Sequence, residues 1–252
     1  LLFNVGKLGI PLREADAVVL THCHYDHTQG LTRILEAIGR KNVPVIAHPA
    51  LFRLNFVTDP FFQHVGVMQG DRAEDLRAAG AELVLVSGPL QLMPGLSTTG
   101  EVPRVTDFEE VGIALSTLDE NGRVVPDSMP DDLSLAARIE GKGLALVTGC
   151  SHAGIINILR HVLTPGEKLE AVIGDSILSR PRTKGSKKPL RHWRAIPRPL
   201  SLPVTARDSG PKRLFTEFWG NVSLPWVRER CSVSPEFFAT ATVFCNKPET
   251  HS

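Results

Sequence analysis

Thr21-His22-Cys23-His24-Tyr25-Asp26-His27 places three imidazoles and a carboxylate within a few residues, directly behind the apolar run Ala17-Val18-Val19-Leu20. That run reads as a short buried strand. In an extended segment His22 and His24 project to the same side at period two, so both reach one cation, while Asp26 and His27, where the chain turns, face a second beside it. A solvated His-rich loop would account for one or two of these residues. Four such groups crowded at the carboxyl end of a strand repel one another unless a cation holds them, and the segment is therefore read as a dinuclear metal loop. A purely structural zinc site is the weaker reading. Such sites favour closed, Cys-rich tetrahedra, and Cys23 and Cys150 only neighbour the histidines.

Outward from this loop the punctuation is that of an α/β protein. Leu31, Ile34, Leu35 and Ile38 repeat at helical spacing, so the motif sits in a strand-loop-helix unit. Val43 to Ala47 and Leu83 to Val86 predict further strands, with a helix over Asp71 to Ala79 between them. Asn121-Gly122 predicts a hairpin joining Ile113-Leu118 to Val124-Val125, and Gly141-Lys142-Gly143 turns Leu133-Ile139 back into Leu144-Thr148. A second strand-loop-helix follows, with Gly149-Cys150-Ser151-His152-Ala153-Gly154 as its loop and Ile155 to Val162 as its helix. Ala171-Val172-Ile173 is the last clear strand.

Charge divides the 252 residues. Residues 1–174 carry 14 Lys and Arg against 21 Asp and Glu, a net −7, whereas 175–252 carry 14 against 6, a net +8. Arg180 to Arg213 holds 11 basic residues and six Pro with no apolar period, which predicts an unstructured basic tail over 175–252 beside a domain over 1–174. No apolar run approaches the roughly 20 residues of a membrane span, so a soluble protein without a membrane partner is expected. Four separated cysteines without a CxxC pair fit a reducing, cytoplasmic setting. The opening Leu1-Leu2-Phe3-Asn4-Val5 is that of a piece whose natural start lies upstream.

At the His-X-His-X-Asp-His loop the sequence resembles the metallo-β-lactamase superfamily, an αββα sandwich with a dinuclear site on its rim. Pro94 to Arg104, Asp131-Asp132-Leu133-Ser134-Leu135 and Thr148-Gly149-Cys150-Ser151-His152-Ala153-Gly154-Ile155-Ile156-Asn157 are similar to its dihydropterin ribofuranosylaminobenzene phosphate synthase-like branch, over residues 1 to about 174. The resemblance implies that His22, His24 and His152 hold a first metal and that Asp26 and His27 belong to a second. Zinc is the expected ion, one or two per chain, with other divalent metals as alternatives. It further implies a metal-bound hydroxide acting on a small, phosphorylated or ester substrate, with Asp26 orienting that hydroxide. Arg104 is a candidate phosphate ligand or an ion-pair residue. Asp131 and Asp132 are candidates to orient the site or to form a turn, and His48 is a site residue or a capped core histidine. Asn4 stands where the family has Asp in a turn. His64, His161, His192 and His251 are read as structural.

The resemblance stops at Gly174. Where the branch has Gly-Phe-His-Leu and later Cys-His-Cys-Thr-Gly, this chain has Asp175-Ser176-Ile177-Leu178 and Pro203-Val204-Thr205-Ala206-Arg207-Asp208. A reading frame shifted by one base converts both segments to the family pattern, and converts Pro225 to Cys231 to a Val-Gly-Ser-Gly-like run, so a frameshift accounts for residues 175–252. Two alternatives stand beside it. Asp175 is a bridging metal carboxylate, as in superfamily relatives with Gly-Asp-Thr, or the basic stretch is an arm for nucleic acid, a partner not otherwise expected because no stacking pattern accompanies the charge. The rival to an enzyme is a non-catalytic metal-binding protein that uses that tail for contacts.

Overall fold

Strands and helices follow one another along the chain in an α/β order. A computed structural model describes residues 2–109 and 114–174, and the backbone of 242–245. First come α1 (Leu2–Leu8), β1 (Ala17–Leu20), α2 (Tyr25–Thr28), α3 (Leu31–Ile38), β2 (Val43–Ala47), β3 (Phe56–Val57) and β4 (Gln63–His64). Next are α4 (Ala73–Ala78), β5 (Ala81–Leu85), β6 (Gln91–Met93), β7 (Leu96–Thr98), β8 (Ser116–Leu118) and β9 (Val124–Pro126). The series closes with β10 (Leu135–Ile139), β11 (Gly143–Val147), α5 (Ile155–Val162), β12 (Leu169–Ile173) and β13 (Thr242–Cys245).

These elements form two compact units. In the first, β13-β1-β2-β5 make one sheet and β4-β3-β8-β9 another. Strands β1, β2 and β5 are parallel, with Val18 opposite Val45 and Val45 opposite Leu83. The connections after β1 and β2 carry α3 and α4. Val18, Val19 and Leu20 are all buried, as the uninterrupted apolar run requires of a strand covered on both faces. Leu31, Ile34, Leu35 and Ile38 form the buried stripe of α3, as their spacing predicts. Strand β13 pairs antiparallel with β1, Ala17 opposite Cys245. It lies within the segment read from sequence as an unstructured tail, and it is a strand nonetheless; the rest of 175–241 and 246–252 lies outside the described residues.

In the second unit the sheet runs β12-β11-β10-β7-β6. The Gly141-Lys142-Gly143 turn returns β10 into β11 in register, Ala137 opposite Ala145. Strand β12 then lies parallel to β11 after α5 crosses over. Leu144, Leu146, Ile155, Ile156, Ile158, Leu159, Leu169 and Val172 build one core between sheet and helix. Asn121-Gly122 makes the predicted hairpin of β8 and β9 in the first unit, with Gly122 at φ +73. One expectation fails at the start of the chain. The segment with Asn4 is helix α1 rather than a turn, because Gly9 at φ +64 lets the Ile10 N–H reach the Val5 carbonyl and close a helical C-terminus.

Candidate metal centre

Strand β1 ends at Leu20, and the chain runs buried through Thr21, His22, Cys23 and His24 before turning into α2. His22, His24 and His27 are all buried, at 0%, 7% and 5% exposure. His22 Nε2 lies 3.1 Å from His24 Nδ1, and the His22 and His27 rings are 4.1 Å apart between centroids. Thr21 Oγ1 is 3.1 Å from His22 Nδ1, which engages the outer nitrogen and leaves Nε2 toward His24. Asp26, on the first turn of α2, is half exposed, its Oδ2 3.8 Å from His27 Nε2. This is a fit for a divalent cation. Three buried imidazoles this close, with the Asp26 carboxylate beside His27, gather nitrogen and oxygen donors of the kind that one or two ions hold together. The sequence pattern thus brings His22, His24, Asp26 and His27 together in the first unit.

The loop is held from behind by Asp131 and by two residues far from it in sequence, Arg53 and Asp127. The Cys23 N–H donates to Asp131 Oδ2 at 2.7 Å, between the two histidines. Asp131 Oδ1 is paired with Arg53 Nη1 at 2.7 Å. Arg53 also grips Asp127 through two bonds, Nε to Oδ2 at 2.7 Å and Nη2 to Oδ1 at 3.0 Å. Asn55 Nδ2 donates to the same Asp127 Oδ2. Burial works against the Arg53 charge, but Asp131 and Asp127 outweigh it and hold the guanidinium above its ordinary pKa. Burial of Asp127 is likewise outweighed by Arg53, which keeps its carboxyl below the usual range. Burial, with Asp131 beside it, pushes the Cys23 thiol up, so Cys23 stays a neutral thiol.

In the second unit His152 is 1% exposed, in the loop between β11 and α5. Ser151 before it adopts φ +55, and its Oγ lies 3.1 Å from Thr148 Oγ1, which accepts from Ser134 Oγ. The Ala153 N–H donates to Asp132 Oδ2 at 2.7 Å. Asp131 and Asp132, consecutive in sequence, thus each fasten the backbone of one histidine loop within their own unit, Asp131 from a turn. Gly154 opens α5 where any Cβ would strike Glu109, whose carboxylate accepts the Ile156 and Asn157 N–H groups at 2.8 and 2.9 Å. Arg104 is exposed. Partial burial lowers its pKa while Asp132 and Glu109 oppose that shift, so the guanidinium belongs to an acidic neighbourhood. His48 is the capped core histidine, Nδ1 accepting from the Ala50 N–H, and His161 is structural, 3.0 Å from the Thr99 carbonyl. Asp175 lies outside the described residues.

Burial drives the Asp132 pKa up to about 7, against the Ala153 N–H and Arg104, which favour its charge. A carboxyl neutral in the folded chain up to that pH and ionised in the unfolded chain from about pH 4 binds more protons when folded. Stability of the metal-free chain is therefore expected to fall as pH rises from 4 to 7 and then level. Thermal melts in chelator across that range check it, and Asp132→Asn should flatten the slope.

Comparison with known proteins finds relatives in one superfamily. A sequence profile described as the beta-lactamase superfamily domain matches residues 5–87. A 7,8-dihydropterin-6-methyl-4-(beta-D-ribofuranosyl)-aminobenzene-5'-phosphate synthase of Methanocaldococcus jannaschii is 38% identical over 179 residues, which cover 69% of this chain and 60% of that protein. A second protein of that organism, described as uncharacterized, is 30% identical over 184 residues, covering 69% and 65%. The chain thus spans less than two thirds of the length of these curated relatives. The crystal structure of a metal-dependent hydrolase of the β-lactamase superfamily matches with a TM-score of 0.56 and 22% identity, over 76% of this chain and 66% of that one, a likeness of fold. Among the described residues no helix is long and apolar enough to cross a membrane. With its His-X-His-X-Asp-His loop at the end of a parallel strand, the chain carries a beta-lactamase superfamily domain over residues 5–87 and is similar beyond it to these relatives.

Proposed function

We propose that the chain descends from a metal-dependent hydrolase or a pterin-related synthase acting on a small phosphorylated or ester substrate, with zinc as the ion. The observation that carries this reading is the buried cluster of His22, His24 and His27 behind β1. In it His22, His24 and His152 hold the first ion, and Asp26 and His27, with Asp175 as a further carboxylate, belong to the second. When bound, the ions supply Lewis acidity, polarising a phosphoryl or carbonyl oxygen and lowering the pKa of water toward neutrality. The half-exposed Asp26 carboxylate is the group that accepts a proton from, and orients, the attacking water. Arg104, an exposed guanidinium, is the group assigned to the substrate phosphate; the 5'-phosphate in the name of the 38% identical relative is consistent with that assignment.

Metal analysis of paired variants tests the ligand set. His152→Ala should lose the tighter-held zinc, because it deletes one of three ligands, whereas His161→Ala should keep it and lose only about 1 kcal/mol for the bond to Thr99. Equal zinc content in the two variants would overturn the assignment of His152.

A further inference from the structure

Arg53 is partly buried, side-chain exposure 15%, and is the cation around which the support of the histidine loop is assembled. It spans two carboxylates. One, Asp127, is fixed in turn by Asn55 Nδ2 and by the Met129 N–H at 2.7 Å, so it is an anchored platform. The other, Asp131, accepts the N–H of Cys23, the one residue between His22 and His24. Arg53 itself is tied back by Nη1 to the Ala50 carbonyl at 2.9 Å, in the short helical turn Pro49–Phe52 that His48 caps. The path from platform to ligand loop is therefore Asp127, Arg53, Asp131, Cys23 N–H, all in one unit and all short. A lysine would keep the charge but lacks the planar fork that serves two carboxylates at once.

Resting on the reading that His22 and His24 are metal ligands, we infer that Arg53 is a positioning residue of the metal centre, which sets the spacing of the two imidazoles through Asp131 and the Cys23 amide. Groups that orient ligands without touching the ion alter affinity by about 10- to 100-fold when removed. The test uses the whole chain with zinc alone as probe, by competition with a chromophoric chelator, and with cobalt for the visible ligand-field bands. Arg53→Lys should weaken zinc about 10- to 100-fold and shift the cobalt bands. Leu51→Ala, a buried deletion in the same turn, should lower the melting temperature and leave zinc affinity and the cobalt bands as in the parent. Should Arg53→Lys not fold, Asp131→Asn carries the test. It retains an acceptor for Cys23 but breaks the charge link to Arg53, and the same loss is expected. Parent-like zinc affinity and cobalt bands in the folded variant would overturn the inference while sparing the ligands. A parent chain that binds no zinc would overturn the metal-centre reading and this inference with it.

Discussion

The chain with His24→Ala should bind no zinc that survives dialysis, and added zinc should leave its melting temperature unchanged. The parent chain should respond strongly. An ion that binds only the folded state stabilises it by RT ln(1 + [L]/Kd), about 2.7 kcal/mol when zinc stands at 100 times Kd. For a folded region of this size that corresponds to a rise of roughly 5 to 10 °C. The effect is large because His22 Nε2 and His24 Nδ1 already stand 3.1 Å apart and buried, so little is spent on bringing the ligands together. If the purified parent carries no zinc, and zinc neither binds nor raises its melting temperature, the ligand assignment is wrong.

Asp127→Ala should be the most damaging change outside the histidines, costing about 3–5 kcal/mol in urea unfolding. It strips two bonds from a guanidinium that cannot deprotonate and leaves Asn55 Nδ2 and the Met129 N–H without their acceptor. The double change Arg53→Met with Asp127→Leu should recover little of that loss, since it leaves the buried Asp131 without its guanidinium. A cost under 1 kcal/mol for Asp127→Ala would show that water or another group takes over, and that the network does little for the fold.

What could be read from the sequence was what is local. The apolar run of β1, the helical stripe of α3 and the Asn121-Gly122 turn each carry their physics within a few residues, and each is found where expected. The histidine loop was legible for the same reason: its histidines and Asp26 lie within a few positions of one another. Pairings across long separations were not. Helix α4 begins at Ala73 rather than Asp71, because Asp71 is spent on the Gly30 and Thr32 N–H groups at the start of α3, some forty positions away. Strands β6 and β7 are three residues each, too short for alternation to register. Asp131 stood out beside Asp132 as a candidate to orient the site, but nothing nearby in sequence says that it meets Arg53, or that Arg53 meets Asp127. Asn4 shows the converse, a family turn expected by likeness and replaced by a helix that local capping allows.

Ser151, left-handed at φ +55 beside His152, gives the histidine loop of the second unit a mutational signature of its own. A non-glycine residue in that conformation carries about 1 kcal/mol of cost, which this chain sets against the Oγ contact to Thr148. The two nearly cancel. A glycine at position 151 would relieve the one and forfeit the other, so Ser151→Gly should change stability little while loosening the tie between this loop and the end of β11.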